Sequence, residues 1–221
     1  GVPNGLPVTE LSLPEYDNNH NSCIWGYMWG YDWNSAEKGD NISKPKTDAD
    51  FTPLGLMNYS EVCFLKAEAA LRGWQGAGDA KTNYENGIRA SFEEMRANAP
   101  KDSYSKSNDD KYISEGNVAW NNADSFEAKL EKIITQKWIG IYPNSEEAWA
   151  EFRRTGYPKL NPVKQSLEPT INPKNGEFIK KLRYVDNELS NNKEYATDPT
   201  LNGGQGDGLS VRVWWDTARY K

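Results

Sequence analysis

NYSEVCFLKAEAALRGWQGAGDAKTNYENGIRASFEEM, residues 58–95, is the stretch that decides the fold. Its first half repeats apolar and small residues at steps of three or four, which predicts a helix with that face buried. The residues on this face are Tyr59, Val62, Leu65 and Ala69. Gly73 suits the position just beyond a helix, and Asp79 suits the cap of the next one. The stretch therefore predicts two helices folded back on each other.

The ends and faces of this hairpin carry further signals. Asn58 and Glu61, three residues apart, fit a reciprocal cap at the start of the first helix. In the second helix Ala80, Tyr84 and Gly87 form a small–aromatic–small pattern, typical of the second helix of a tetratricopeptide repeat. This pattern indicates close helix packing, with Leu65 and Tyr84 expected in the core of the hairpin.

Two more capped, amphipathic segments follow the hairpin, and Asp124 with Glu127 fits the cap of the first of them. The four predicted helices span residues 58–72, 79–97, 124–142 and 145–155. Residues 99–123 lack sustained periodicity and are predicted to form a long surface loop. The predicted fold class is mainly α, with tetratricopeptide-like helical hairpins in an α/α superhelix, long irregular loops and few short strands.

Composition bounds the organisation and the partners. The chain has 221 residues, of which 37% are apolar, and a mean hydropathy of −0.87, but its 9 Trp and 12 Tyr supply buried area. We expect one body, 1–221, with a loop-rich aromatic segment (1–57), a helical core (58–155) and a loop-rich C-terminal segment (156–221). The net charge is −6 and no basic patch is present, which argues against a nucleic-acid binder.

The inventory of reactive side chains is small. His20 is the single histidine, so the sequence predicts neither a zinc site nor a His-based triad. It also predicts no cofactor. Cys23 and Cys63 have no metal-type spacing, and their pairing cannot be inferred from the sequence. Cys63 lies in the apolar part of the first helix, where a free cysteine acts as a small core residue.

Aromatic residues alternate in CIWGYMWGYDWN, residues 23–34. Period-two spacing places the rings on one face of an extended segment, as a buried face or as an exposed platform for the C–H faces of sugars. The candidate glycan-binding residues here are Trp25, Trp29, Tyr31, Asp32 and Trp33. In the predicted loop, Trp120 beside Asn121 is a second candidate, with an ordinary packing anchor as its alternative.

Three segments in the expected order, YSEVCFLKAEAALRGW, DAKTNYENGIRAS and LEKIITQKWIGIYPNSEEAWAEFRRTGYPKL, strongly resemble the SusD/RagB family. That family comprises glycan-capturing outer-membrane lipoproteins of Bacteroidetes. The resemblance implies a non-catalytic glycan-binding module that works beside a SusC-like TonB-dependent transporter in nutrient uptake. It also implies an extracellular position at the outer membrane, with a lipid anchor in a missing N-terminal part of the protein.

Two other functions stay open at this stage. A glycoside hydrolase would need an Asp/Glu pair across an aromatic cleft, and Asp32 beside Trp29 and Trp33 is a candidate member. A tetratricopeptide-type scaffold would instead bind a peptide in its concave helical groove.

Overall fold

The computed structural model describes residues 55–98, 105–163 and 165–216. Within these ranges the structure is helical and contains no β-strand. The chain forms two compact units, which we call the hairpin unit (the described residues up to 149) and the C-terminal unit (the described residues from 150). The predicted division into 1–57, 58–155 and 156–221 stays a prediction.

All four predicted helices are present. They are α1 (Tyr59–Leu71), α2 (Ala80–Asn98), α4 (Phe126–Gly140) and α5 (Ser145–Thr155). A further short helix, α3 (Asp109–Ser114), follows a 3-10 turn at Lys106–Asn108. The prediction that residues 99–123 form only a loop was therefore wrong for this part. Helix α3 has only six residues, fewer than two helical turns, which is too short for a helical period to show in the sequence.

The core of the hairpin unit is formed where α1 packs against α2 and α4. Phe64 of α1 is fully buried, and its ring and the Tyr84 ring form an edge-to-face pair with 6.4 Å between their centroids. A Cβ atom added at Gly87 would lie 2.7 Å from the Phe64 ring, and one at Gly140 would lie 3.3 Å from it. The absence of side chains at these two glycines therefore lets three helices meet around one ring. At Gly87 this is the close helix packing that the small–aromatic–small pattern predicted; the part played by Gly140 was not predicted.

The buried face of α1 differs from the predicted one. Leu65 is 38% exposed and Tyr59 is 68% exposed, whereas Cys63, Phe64 and Ala67 are buried. The predicted buried face was therefore shifted by about one residue from the face that the structure buries. Because α1 is apolar around most of its circumference, periodicity alone could not select the side that meets α2.

The helix ends show which capping signals hold. Gly73 has a φ of +77° and closes α1, while the Asp79 carboxylate accepts hydrogen bonds from the Thr82 N–H and hydroxyl, both at 2.7 Å. Asn58 makes no side-chain cap; instead Glu94 of α2 accepts from the Ser60 N–H at 3.1 Å and the Ser60 hydroxyl at 2.7 Å. These contacts satisfy donors that a helix start leaves unpaired.

At α4 the cap is Ser125, whose Oγ accepts from the Ala128 N–H at 3.2 Å. Asp124, predicted as this cap, instead forms an ion pair with Lys132 at 2.6 Å. Asn144 caps α5, since its Oδ1 accepts from the Glu147 N–H at 3.3 Å.

A buried lysine joins three helices of the hairpin unit. Lys137 of α4 is 1% exposed, and its Nζ lies 2.9 Å from the Glu147 carboxylate of α5 and 3.5 Å from the Glu61 carboxylate of α1. A charge this deeply buried is tolerated when it is paired in this way.

The C-terminal unit contains the end of α5, a 3-10 turn and two short helices, α6 (Asp186–Asn191) and α7 (Lys193–Ala196). At Leu201–Gly204 the chain turns through left-handed backbone conformations at Asn202 and Gly203. Arg153 lies over the Trp215 ring at 4.8 Å, and Asp216 is buried and accepts a hydrogen bond from Arg212. Trp214 is 92% exposed.

Candidate functional site

A cleft in the hairpin unit has the Trp120 ring as one of its walls. Tyr84 supports this ring from the core side, with 5.4 Å between the ring centroids and a tilt of 45°. The Tyr84 hydroxyl donates to the Val118 carbonyl at 2.7 Å, which fixes the chain just before Trp120. Burial raises the pKa of the Tyr84 phenol, so the hydroxyl stays protonated and able to donate.

The loop that carries Trp120 is fastened from α4. Lys132 donates to the Ala119 carbonyl at 2.6 Å, and Lys129 donates to the Asn122 carbonyl at 2.8 Å. The Trp120 indole N–H donates to the Asn122 side-chain oxygen at 3.0 Å. Because this edge of the indole is already hydrogen-bonded, Trp120 offers a ligand its face, and the face is held in one orientation.

The remaining walls come from α2 and α3. Lys81, Glu85 and Arg89 follow one another at steps of four along α2 and therefore share one face. The cleft measures about 380 Å³, within the range of small-ligand sites. Its complete lining is Lys81, Glu85, Arg89, Asp110, Ile113, Ser114, Ala119 and Trp120.

The charged groups of the cleft are paired with one another. Arg89 lies 2.9 Å from Asp110 of α3 and 3.7 Å from Glu85, and Lys81 lies 3.8 Å from Glu85. Two cations and two carboxylates give a formal charge of 2 − 2 = 0 for the lining.

Contacts below the cleft hold α3 in place. Arg96 of α2 binds Asp109 at the start of α3 through two hydrogen bonds, at 2.6 and 3.0 Å, and these bonds are the main cause of a raised pKa for Arg96. The Tyr112 and Phe92 rings form an edge-to-face pair with 5.3 Å between their centroids, and the Tyr112 hydroxyl donates to the Gln136 side-chain oxygen of α4 at 3.2 Å. The α3 wall is thus attached to both long helices.

Comparison with known proteins identifies the family. The family model described as SusD-like, Susd and RagB outer membrane lipoprotein, matches residues 13–216. The chain belongs to the SusD-like family.

Solved structures agree with this assignment. A chitin-binding SusD homologue from Flavobacterium johnsoniae is 36% identical, with a TM-score of 0.59 over 73% of this chain and 36% of that protein. A SusD homologue from Bacteroides thetaiotaomicron is 33% identical to this chain, with a TM-score of 0.57 over 71% of this chain and 37% of that protein. One from Bacteroides ovatus is 38% identical, with a TM-score of 0.54 over 71% of this chain and 36% of that protein. The chain spans about a third of the length of each. No curated protein matches the chain.

The family consists of outer-membrane lipoproteins, which places this SusD-like protein at the outer membrane. None of its helices in the described ranges has the length and apolar character needed to cross a bilayer. The same part of the chain contains no group of three or more His, Cys, Asp or Glu residues able to hold a metal ion.

The candidate glycan residues predicted from the sequence fall into two groups. Trp120 lies in the cleft, whereas Asn121 is exposed, uses its side-chain oxygen to accept from the Ala123 N–H at 2.9 Å, and is not part of the lining. The others lie outside the described residues, and their role stays a prediction. They are Trp25, Trp29, Tyr31, Asp32 and Trp33.

Sequence reasoning about the SusD-like chain missed the charged lining of the cleft. The spacing of Lys81, Glu85 and Arg89 was a usable signal, since it places three charges on one helix face. Asp110 could not be added to them without knowing that α3 forms and packs beside α2.

Proposed function

We propose that the protein binds glycans without cleaving them, at the extracellular face of the outer membrane, and that the Trp120 cleft contacts the sugar. The observation that carries the proposal is the fixed, half-buried Trp120 ring in a cleft rimmed by hydrogen-bonding side chains. The C–H face of a pyranose ring packs on an aromatic face, while charged and hydroxyl groups bind its hydroxyls. The chitin-binding property of the Flavobacterium johnsoniae homologue supports this class of ligand.

The proposal includes the cellular role that the family resemblance implies. The full-length, lipid-anchored protein hands its glycan to a SusC-like TonB-dependent transporter for nutrient uptake. Purification of the tagged full-length protein from outer membranes, followed by identification of co-purifying proteins, tests this partnership. Recovery of no such transporter would contradict it.

Binding is tested with Trp120→Ala in the full-length protein. A polysaccharide array first finds a bound glycan, and isothermal titration then compares the variant with the wild type. By analogy with bases stacked on aromatic rings, one stack contributes about 1–3 kcal/mol, so we expect affinity to fall roughly 5- to 150-fold.

Trp74→Ala is the matched control, because Trp74 lies at the turn of the hairpin, is 67% exposed and is not part of the cleft lining. Trp120→Phe keeps a ring over Tyr84 and should retain part of the affinity, which separates lost stacking from lost folding. Unchanged affinity in Trp120→Ala, or an equal loss in Trp74→Ala, would overturn the cleft as the site.

The same titrations distinguish the hydrolase alternative. Incubation of each bound glycan with the wild type, followed by a reducing-end assay, should show no release of ends. Release that disappears in a carboxylate variant of the cleft, Glu85→Gln or Asp110→Asn, would establish a glycoside hydrolase instead.

A further inference from the structure

The cleft beside Trp120 holds four charged side chains in a small volume, and their arrangement bears on which sugars can enter. Glu85 lies between Lys81 and Arg89 on one face of α2, at 3.8 and 3.7 Å from them. Asp110 approaches from α3 and takes the second arm of Arg89 at 2.9 Å. Each cation that faces the cleft therefore already has a carboxylate partner.

An anionic sugar would gain little from this arrangement. A carboxylate or sulfate that binds the remaining N–H groups of Arg89 would lie beside the Asp110 and Glu85 carboxylates, which would repel it. A neutral sugar meets no such competition. Its hydroxyls can donate to carboxylate oxygens and accept from cationic N–H groups while the ion pairs stay intact.

We infer that Glu85 and Asp110 restrict the cleft to neutral glycans by neutralising Lys81 and Arg89. The inference rests on the proposed function of the same site and adds the class of ligand and the residues that select it. Without the two carboxylates, the cleft would present two unpaired cations beside an aromatic face. It would then suit glycans that carry hexuronate or sulfate groups.

The difference in exposure between the two carboxylates makes the inference testable in steps. The Asp110 side chain is 86% exposed, so Asp110→Asn should fold as the wild type does. Glu85 is more enclosed, with 25% of its side chain exposed, and binds both cations. The double variant Glu85→Gln/Asp110→Asn should therefore have the larger effect, and its melting temperature is recorded beside its affinity.

The probes are neutral hexasaccharides that the wild type binds on the array and the same hexasaccharides oxidised to carboxylates at C6. Each pair has one backbone, so the ratio of the two affinities isolates the effect of charge. Titrations of the full-length protein at about 10 mM and about 500 mM salt distinguish a charge effect, because high salt screens exposed charges.

We expect the wild type to bind the neutral form at least about tenfold more tightly than the oxidised form at low salt. The double variant should shift this ratio roughly tenfold toward the oxidised form, Asp110→Asn should shift it less, and high salt should reduce both shifts. The matched control, Asp186→Asn/Glu194→Gln, removes two exposed carboxylates of the C-terminal unit and should leave the ratio unchanged.

Equal binding of the two forms by the wild type, or an unchanged ratio in the double variant, overturns the inference. If Trp120→Ala still weakens binding in that case, the cleft remains a glycan site and the charge selection alone is wrong. If the wild type binds no glycan of the array, the proposed function and the inference fall together.

Discussion

Phe64 and Leu65 are neighbours in the sequence but lie in different surroundings. The Phe64 ring is enclosed by Tyr84, Gly87 and Gly140, whereas Leu65 is 38% exposed. The free energy lost when a side chain is truncated depends on the buried area and on the cavity left behind. Two adjacent truncations in α1 should therefore have very different effects.

Phe64→Ala should lower the free energy of unfolding by about 3–5 kcal/mol, because it leaves a cavity where three helices meet. Leu65→Ala should lower it by less than about 1.5 kcal/mol, since part of the side chain is already in contact with water. Urea melts of both variants measure the difference. Equal losses would mean that the buried face of α1 is not the one the structure shows.

At the scale of the element, the long helix α2 depends on a cap from the residue that immediately precedes it, Asp79. Asp79 accepts two hydrogen bonds from Thr82, and these bonds, with the backbone bond as the largest contribution, lower the pKa of the Asp79 carboxyl. A carboxyl whose pKa is lower in the folded than in the unfolded protein stabilises the fold at pH values above the pKa of the unfolded state, which is about 4 for Asp. This contribution is lost as the pH falls through the folded pKa.

Asp79→Ala should therefore cost about 0.5–2 kcal/mol at pH 7, and the difference from the wild type should shrink as the pH falls below about 4. Asp79→Asn is the control, because Asn can still cap the helix but has no carboxyl to titrate. Thermal melts between pH 2.5 and 7 give both curves. A difference between Asp79→Ala and the wild type that stays constant over this range would contradict the assignment of the cap.

At the scale of the whole molecule, the hairpin unit is joined through one buried charge. Lys137 pairs with Glu61 and Glu147, so two ion pairs to one lysine link α4 to α1 and to the start of α5. Removal of the lysine takes a cationic partner from the Glu61 carboxylate, whose side chain is only 10% exposed, and this is costly even where the intact group adds little stability.

Lys137→Ala should lower the free energy of unfolding by about 3–5 kcal/mol. Lys66→Ala removes the same charge from an exposed position of α1 and should change stability by no more than about 0.5 kcal/mol. Chemical denaturation of both variants at neutral pH is the measurement. A loss below about 1 kcal/mol for Lys137→Ala would show that water reaches the lysine.

The residues that carry local signals were predictable from the sequence. Gly73 and Asp79 end one helix and begin the next through contacts within four residues, and both perform the role that their positions indicate. Trp120 was singled out as a candidate and lies in the cleft, but Lys81, Glu85, Arg89 and Asp110 were not. A charged helix face is ordinarily solvated, so these residues gain meaning when another element packs beside them.

The sequence by itself determined the helical hairpin, the two helices that follow it and the family, because periodicity, caps and turn glycines act over short stretches of chain. Only the tertiary structure decided which face of α1 is buried, that Glu94 caps α1 from 34 residues away, and that Trp120 and Asp110 meet the charged face of α2. These features depend on contacts between residues far apart in the chain. Such contacts stabilise the protein only after the helices have packed together, so no short stretch of sequence indicates them.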